Sequence, residues 1–285
     1  MKFLNVGGKL MDFRVPKIMG ILNMTPDSFF DGGRHNTLAD ALERVGTMLA
    51  EGADVIDIGG YSSRPGAPIV GVQEELDRLM PIVEAVRQSY PDAVLSIDTF
   101  RSAVAAAAIQ GGAHLINDIG GGNLDENMFP AVAKLGVPYI LMHSRGTPAT
   151  MQHETDYKDV VNDIIADLTK KIEILRTLGV KDILVDPGFG FAKTLEQNYL
   201  LLSRIDELKV LGLPILGALS RKSMIYKLLN KGPQDALNGT SVLHTVLLMK
   251  GVEMIRVHDV REAVEVRKLV MQIKPKAFER SLHDA

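Results

Sequence analysis

Short apolar runs that end in a polar residue recur along the chain. "EGADVIDIGG" (51–60), "GGAHLINDIGGG" (111–122), "LGVPYILMHS" (135–144), "LGVKDILVDPG" (178–188), "LGLPILGALS" (211–220) and "KGVEMIRVHD" (250–259) share one grammar. A helical pattern closes on a glycine suited to a left-handed C-cap, an apolar run follows, and a polar side chain ends it. "KIMGILN" (17–23) and "PDAVLSIDTF" (91–100) end in the same way, which makes eight such units. Between them the periodicity switches to helix: Leu38, Leu42, Val45 and Leu49 fall at three- and four-residue spacings in "TLADALERVGTMLAEG". The runs are continuous, not alternating, so both faces of each strand are expected to be buried.

Eight strands alternating with helices in about 250 residues predict a (β/α)8 TIM barrel in the α/β class. An open doubly wound sheet is the rival, but its first strand leads into a G-x-G-x-x-G turn, and "GILNMTPDS" is nothing like that. Ahead of the first barrel strand, "FLNVGGKLMDF" reads as a hairpin turning on Gly7-Gly8, placed in residues 1–15 as a plug under the barrel. The stretch 232–249 reads as an extra helix before the eighth barrel strand. No linker divides the chain, so residues 1–285 are expected to form a single domain, with 276–285 a flexible tail.

Composition narrows the chemistry. Hydrophobic residues make up 46% of the chain and the net charge is −3, with acids and bases mixed, which gives no sign of a nucleic-acid or membrane surface. Cysteine is absent, which excludes disulfides and thiolate metal sites and suits a cytoplasmic protein. "MKFLNVGGKLMDFRVPK" has no apolar signal core, and no apolar run approaches the ~20 residues that span a bilayer.

Active sites of such barrels lie at the C-terminal ends of the strands. Those ends are Asn23, Asp57, Asp98, Asn117-Asp118, Met142-His143, Asp186, Ser220-Arg221-Lys222, and Arg256 with His258. One strand-end Asp is as well explained by a helix N-cap or a structural hydrogen bond. Asp98, Asn117 and Asp186 together suit a flat heterocycle, whose N–H edge a carboxylate can grip with two parallel bonds, with Lys222 adding a donor. Arg64 on "SSRPGA", with Arg256 and His258 two apart on one strand and so facing the same way, forms a separate anion-binding group. The histidines are scattered with no i,i+4 pair, which argues against a zinc site. Mg²⁺ carried in with a diphosphate fits better, because it needs few protein oxygens.

"ILNMTPDSFFDGG", "DIGGYSSRPGA", "SIDTF", "INDIGGG", "LMHSRG", "DPGFGFAKT", "SRKSMI" and "RVHDV", in unbroken order over about residues 15–272, resemble the dihydropteroate synthase family of pterin-binding barrels. The resemblance implies a sulfonamide-target transferase of folate biosynthesis. It joins 6-hydroxymethyl-7,8-dihydropterin diphosphate to p-aminobenzoate and releases pyrophosphate. Asp98, Asn117, Met142, Asp186 and Lys222 would hold the pterin. Ser63, Arg64, Arg256 and His258 would hold the diphosphate, and Asn23 its Mg²⁺. Phe29, Pro65, Phe191, Lys222 and Ser223 would form the p-aminobenzoate slot. Asp31, Asp98 and Lys222 are the candidate catalytic residues, Asp31 standing where it can stabilise positive charge on a pterin methyl cation. The family also implies a homodimer. Three positions depart from its usual pattern: Phe30 stands for a small polar residue, Tyr61 for an acid and Ser63 for Thr. A methyltetrahydrofolate-dependent methyltransferase-like barrel shares the pterin acids but needs no diphosphate clamp. A non-catalytic pterin carrier needs neither the anion group nor the two loops that follow the first and second barrel strands.

Overall fold

The computed structural model of the chain describes residues 2–24, 38–61, 70–147 and 149–273. A hairpin of β1 (Phe3–Val6) and β2 (Lys9–Asp12) comes first. The barrel strands are β3 (Lys17–Asn23), β4 (Val55–Gly59), β5 (Leu95–Asp98), β6 (Leu115–Asp118), β7 (Tyr139–Met142), β8 (Ile183–Asp186), β9 (Leu216–Gly217) and β10 (Met254–Val257). Helices α1 (Leu38–Glu51), α2 (Val72–Ser89), α3 (Ser102–Gln110), α4 (Met128–Leu135) and α5 (Val160–Thr177) alternate with the first strands. After β8 come α6 (Leu195–Ser203), α7 (Ser223–Leu228), the additional α8 (Leu237–Met249) ahead of β10, and α9 (Val260–Ile273).

The barrel strands run parallel in the order β8-β7-β6-β5-β4-β3-β10-β9. A bridge from Val185 to Ile215 brings β8 against the start of β9 and rounds the sheet into a barrel. The expected barrel, hairpin and extra helix are all present.

Alternation along each strand divides the apolar residues into two clusters. Ile18, Ile56, Ile58, Ile97, Ile116, Leu141, Val185 and Ile255 pack outward, with the helices. Met19, Val55, Leu115, Ile140, Leu184, Leu216 and Met254 pack inward, with Leu4 and Val6 of the hairpin and with Phe13. The hairpin therefore closes the N-terminal end of the barrel from below. Two residues further along each strand the inward position changes character: Val55 gives way to Asp57, Leu115 to Asn117, Leu184 to Asp186 and Met254 to Arg256. The barrel interior is thus largely apolar at the bottom, with Ser96 as a buried polar residue on β5, and charged at the top.

The turn of the hairpin needs Gly7 and Gly8, whose φ angles of +57° and +83° lie in the left-handed region that favours glycine. Because Leu4 is 1% exposed and fills the barrel floor, Leu4→Ala leaves a cavity there. The variant should lose about 2–5 kcal/mol in urea unfolding. A loss below about 1 kcal/mol would mean the plug adds little to the core.

Candidate functional site

Register sets one rim of the bowl. Asn23 pairs with Gly59, Gly59 with Asp98, and Asp98 with Asn117, so these four residues follow one another around the upper edge. On the other side Met142 pairs with Asp186. Glycine at 59 leaves the gap open: a Cβ there would stand 3.6 Å from both Asn23 Oδ1 and Asp98 Oδ2.

At the centre lies Arg256. Its Nε donates to Asp57 Oδ2 at 2.6 Å and its Nη2 to Asp98 Oδ2 at 2.6 Å. Asn117 Nδ2 donates to the same Asp57 oxygen at 3.0 Å. The Asp57 side chain is 0% exposed, and its Oδ1 has no hydrogen-bond partner among the described residues. Arg256 and Asp98 keep 17% and 14% side-chain exposure, so the trio opens only toward the mouth.

Burial controls how these groups hold their charge. It pushes Asp98 up to about 7; the Arg256 guanidinium opposes this, while the charges of Asp57 and Glu75 add to it. Asp186 is also raised by burial, against Lys222 and the Gly188 N–H, which reaches its Oδ1 at 2.7 Å. Lys222 is pulled down to about 8, again mainly by burial, with Asp186 holding it up. Its Nζ donates to the Phe189 carbonyl and lies 4.7 Å from the centre of the Phe191 ring.

The loop after β8 is tied from beneath. Lys193 Nζ donates to Gly188 O and Phe191 O at 2.9 Å each and stands 3.3 Å from His143 Nδ1. Burial brings Lys193 down to about 7 and His143 to about 2. Gly188 has φ +70°, and a Cβ there would fall 2.1 Å from the His143 carbonyl, so only glycine fits.

A second tie joins the ends of β9 and β10. Ser220 Oγ accepts from His258 N at 3.2 Å and lies 3.1 Å from its Nδ1. Arg221 grips Asp259 with two bonds of 2.8 and 2.7 Å. Arg221 has φ +53°, an uncommon conformation for a side chain of this size. Its N–H donates to Thr240 Oγ1 at 3.0 Å, which fixes that turn and places Lys222 as the residue capping α7.

Of the residues singled out from the sequence, the bowl brings together Asn23, Asp98, Asn117, Met142, Asp186, Lys222, Phe191 and Arg256, with Ser223 opening α7. Met142 is 2% exposed and wedged between Gly121 and Gly188. Phe29, Asp31, Ser63, Arg64 and Pro65 lie outside the described residues. One expectation changes: Arg256 does not stand apart from the acids beside His258. It starts level with Met19, below Asp57, and its long side chain rises into them. His258 lies past the end of β10, its ring near Ser220 and its carbonyl held by Arg44 at 2.7 Å. Strand alternation gives the direction of a side chain but not its reach. The sequence marks Asp57 only as one strand-end acid among several, and nothing in "GFAKT" marks Lys193. Among the described residues no three His, Cys, Asp or Glu side chains are set to hold a metal.

The family described as "pterin binding enzyme" matches residues 19–258. The chain is 44% identical to the dihydropteroate synthase of Escherichia coli (strain K12) over 266 residues, 92% of this chain and 93% of that one. It superimposes on the Yersinia pestis dihydropteroate synthase solved with a sulfonamide drug complex, with a TM-score of 0.91, 46% identity and coverage of 96% and 99%. It is also similar to the Xanthomonas albilineans dihydropteroate synthase solved with 4-aminobenzoic acid, with a TM-score of 0.89, 37% identity and coverage of 95% and 98%.

Because the Asp57 charge raises the Asp98 carboxyl, Asp57→Asn should move the Asp98 midpoint downward from about 7. Carbon-13 carboxyl titration by NMR reads this directly. A midpoint that stays or rises would mean that Asp57 does not share the bowl's electrostatics.

Proposed function

The chain belongs to the pterin-binding enzyme family as one of its dihydropteroate synthases, and on that premise we propose how the residues of the bowl divide the reaction. Its substrates are 6-hydroxymethyl-7,8-dihydropterin diphosphate and p-aminobenzoate. The C–O bond from the pterin methylene to the diphosphate breaks, a C–N bond to the aromatic amine forms, and the amine loses its proton.

The convergence of Asp98, Asp186 and Lys222 on one bowl carries the reading. Asp98 and Asp186 accept from the N–H edge of the pterin, Lys222 donates to a ring acceptor, Asn117 holds a further ring atom and Met142 packs on the ring. When the pterin takes Asp98, it displaces one end of Arg256. Asp57 keeps the other end, so the freed Nη2 turns to the diphosphate with His258, Ser63 and Arg64. Dissipating the charge of the leaving group in a water-poor site is the largest service the protein can give. Asp31 faces the positive charge that develops on the methylene. Phe29, Pro65, Phe191, Lys222 and Ser223 line the p-aminobenzoate slot. The amine is nucleophilic at neutral pH, so no general base is assigned.

The residues present fit a metal that arrives with the substrate. Asn23 Oδ1 is a neutral oxygen beside the open space at Gly59, and no cluster of acids for a resident ion exists among the described residues. Asn23 Oδ1 would be the protein oxygen for such an ion, which would supply neutralising charge to the diphosphate. The same reading, from the family, takes the protein as a cytosolic homodimer. No described helix is long and apolar enough to cross a membrane.

Incubation with both substrates and Mg²⁺ should release pyrophosphate with formation of dihydropteroate. Pyrophosphate released without p-aminobenzoate consumption would contradict the assignment.

The titrations give a second test. Protonating Asp98 near 7 removes an acceptor, and deprotonating Lys222 near 8 removes a charged donor. Pterin affinity should therefore peak between those values, weakening about tenfold per pH unit beyond each limb. Calorimetry across pH 6–9 should show this bell, and Asp98→Asn should abolish the acid limb while lowering the plateau by about 10–100-fold. A flat profile would remove both groups from pterin recognition.

A further inference from the structure

Arg101 touches both ends of the segment 62–69 from a position outside the bowl. It follows β5 in sequence, three residues after Asp98, and precedes α3. Its Nη2 donates to the Val70 carbonyl at 2.6 Å, the far end of the segment. Its guanidinium carbon lies 5.5 Å from the centre of the Tyr61 ring, the near end, and 4.5 Å from that of Phe100. Tyr61 and Phe100 meet edge to face at 5.2 Å and 84°. Nη1 donates to Glu75 Oε2, and Glu75 is 1% exposed on α2. Gly60 packs on the same residue: a Cβ there would meet the Glu75 carbonyl at 3.1 Å and its Cγ at 3.2 Å. Arg78, one turn along α2, donates to the Gly60 carbonyl at 3.3 Å.

We propose that Arg101 is a positioning residue that sets the two ends of the segment 62–69, at Tyr61 and Val70, relative to each other and to Asp98. Two aromatic rings and two oxygens converge on one planar cation, and a planar fork that stacks while it donates in two directions is what arginine supplies and lysine does not. The tyrosine at 61, where the family commonly has an acid, fits this arrangement. An acid there would compete with Glu75 for the guanidinium as a second ion pair. A ring instead engages the face of the cation and leaves its N–H groups to Glu75 and Val70. The kinetic consequence rests on the reading above, in which Ser63, Arg64 and Pro65 serve the diphosphate and p-aminobenzoate.

Arg101→Ala would strand Glu75 as a buried charge and is a poor test. Arg101→Lys keeps the charge opposite Glu75, and Tyr61→Leu keeps apolar bulk, so both should fold. Hydrogen exchange of the full-length variants, followed by mass spectrometry, should show the amides of residues 60–61 and 70–71 exchanging at least about tenfold faster in each, with α5 and α8 unchanged. The double variant should be no faster than the faster single, because the two act as one unit. Unchanged exchange at 60–61 and 70–71 in Arg101→Lys overturns the proposal. Steady-state kinetics then separates the anchor from the role of the segment. With the anchor and the assignment both right, KM for p-aminobenzoate rises about tenfold in both variants. In that case kcat stays within about twofold, and calorimetric affinity for a pterin lacking diphosphate is unaltered. Faster exchange with an unchanged KM supports the anchor and removes residues 63–65 from the p-aminobenzoate side.

Discussion

The whole site turns on one buried cation shared by two carboxylates. Arg256 is held by Asp57 from below and by Asp98 from the side, both at 2.6 Å. Taking such charges out of water is costly, and leaving any one of them alone is costlier still. The trio is therefore a constraint as much as an attraction. Asp57 is sealed beneath the others and never needs to release Arg256. Asp98 faces the mouth, and burial, reinforced by the charges of Asp57 and Glu75, makes it a reluctant anion despite Arg256. On the proposed reading, a ligand with an N–H edge gives Asp98 partners that suit its charge and sets one end of Arg256 free, so that binding of the ring also prepares the anion site.

The barrel supplies what this arrangement needs. Its lower interior is packed dry by the hairpin and by Met19, Val55, Leu115, Ile140, Leu184 and Met254. The one buried polar side chain among the described residues on the inner face of β5 below Asp98 is Ser96, whose Oγ has no hydrogen-bond partner there. Above, the strand ends are tied to one another through their loops: Arg221 to Asp259, Ser220 to His258, and Lys193 to the carbonyls of Gly188 and Phe191. The left-handed conformation of Arg221 is sustained by those contacts and delivers Lys222 to the bowl. Function and local strain meet at the same turn, as expected where a neighbouring structure over-determines a residue.

Much of this was readable in the sequence because a barrel strand has a simple code. Its outer face is mostly apolar, Asp118 on β6 being an exception bonded to Tyr139, and its inner face changes from mostly apolar to polar at the catalytic end. That code predicts the barrel and points to Asp98, Asn117 and Asp186, while the hairpin is legible from Gly7-Gly8, the extra helix from the stretch 232–249, and Lys222 from its place just past the seventh barrel strand. The parts it missed depend on reach and on folding back. Nothing in "MIRVHD" tells whether Arg256 extends away from the acids or in among them. Lys193 acts on carbonyls two and five residues before it, through a turn that only Gly188 permits. Asp57 looked like one more strand-end acid because its partners, Arg256 and Asn117, come from distant parts of the chain.

If Asp57 and Arg256 work as one device, their contributions to pterin binding cannot be independent. The direct measurement is a double-mutant cycle with Asp57→Asn, Arg256→Gln and the pair together, scored by calorimetric affinity for a pterin ligand. The account predicts that the double variant binds no worse than the weaker single, a coupling of at least about 1.5 kcal/mol. Additive losses, within about 0.5 kcal/mol, would show two independent contacts and contradict the shared-cation account.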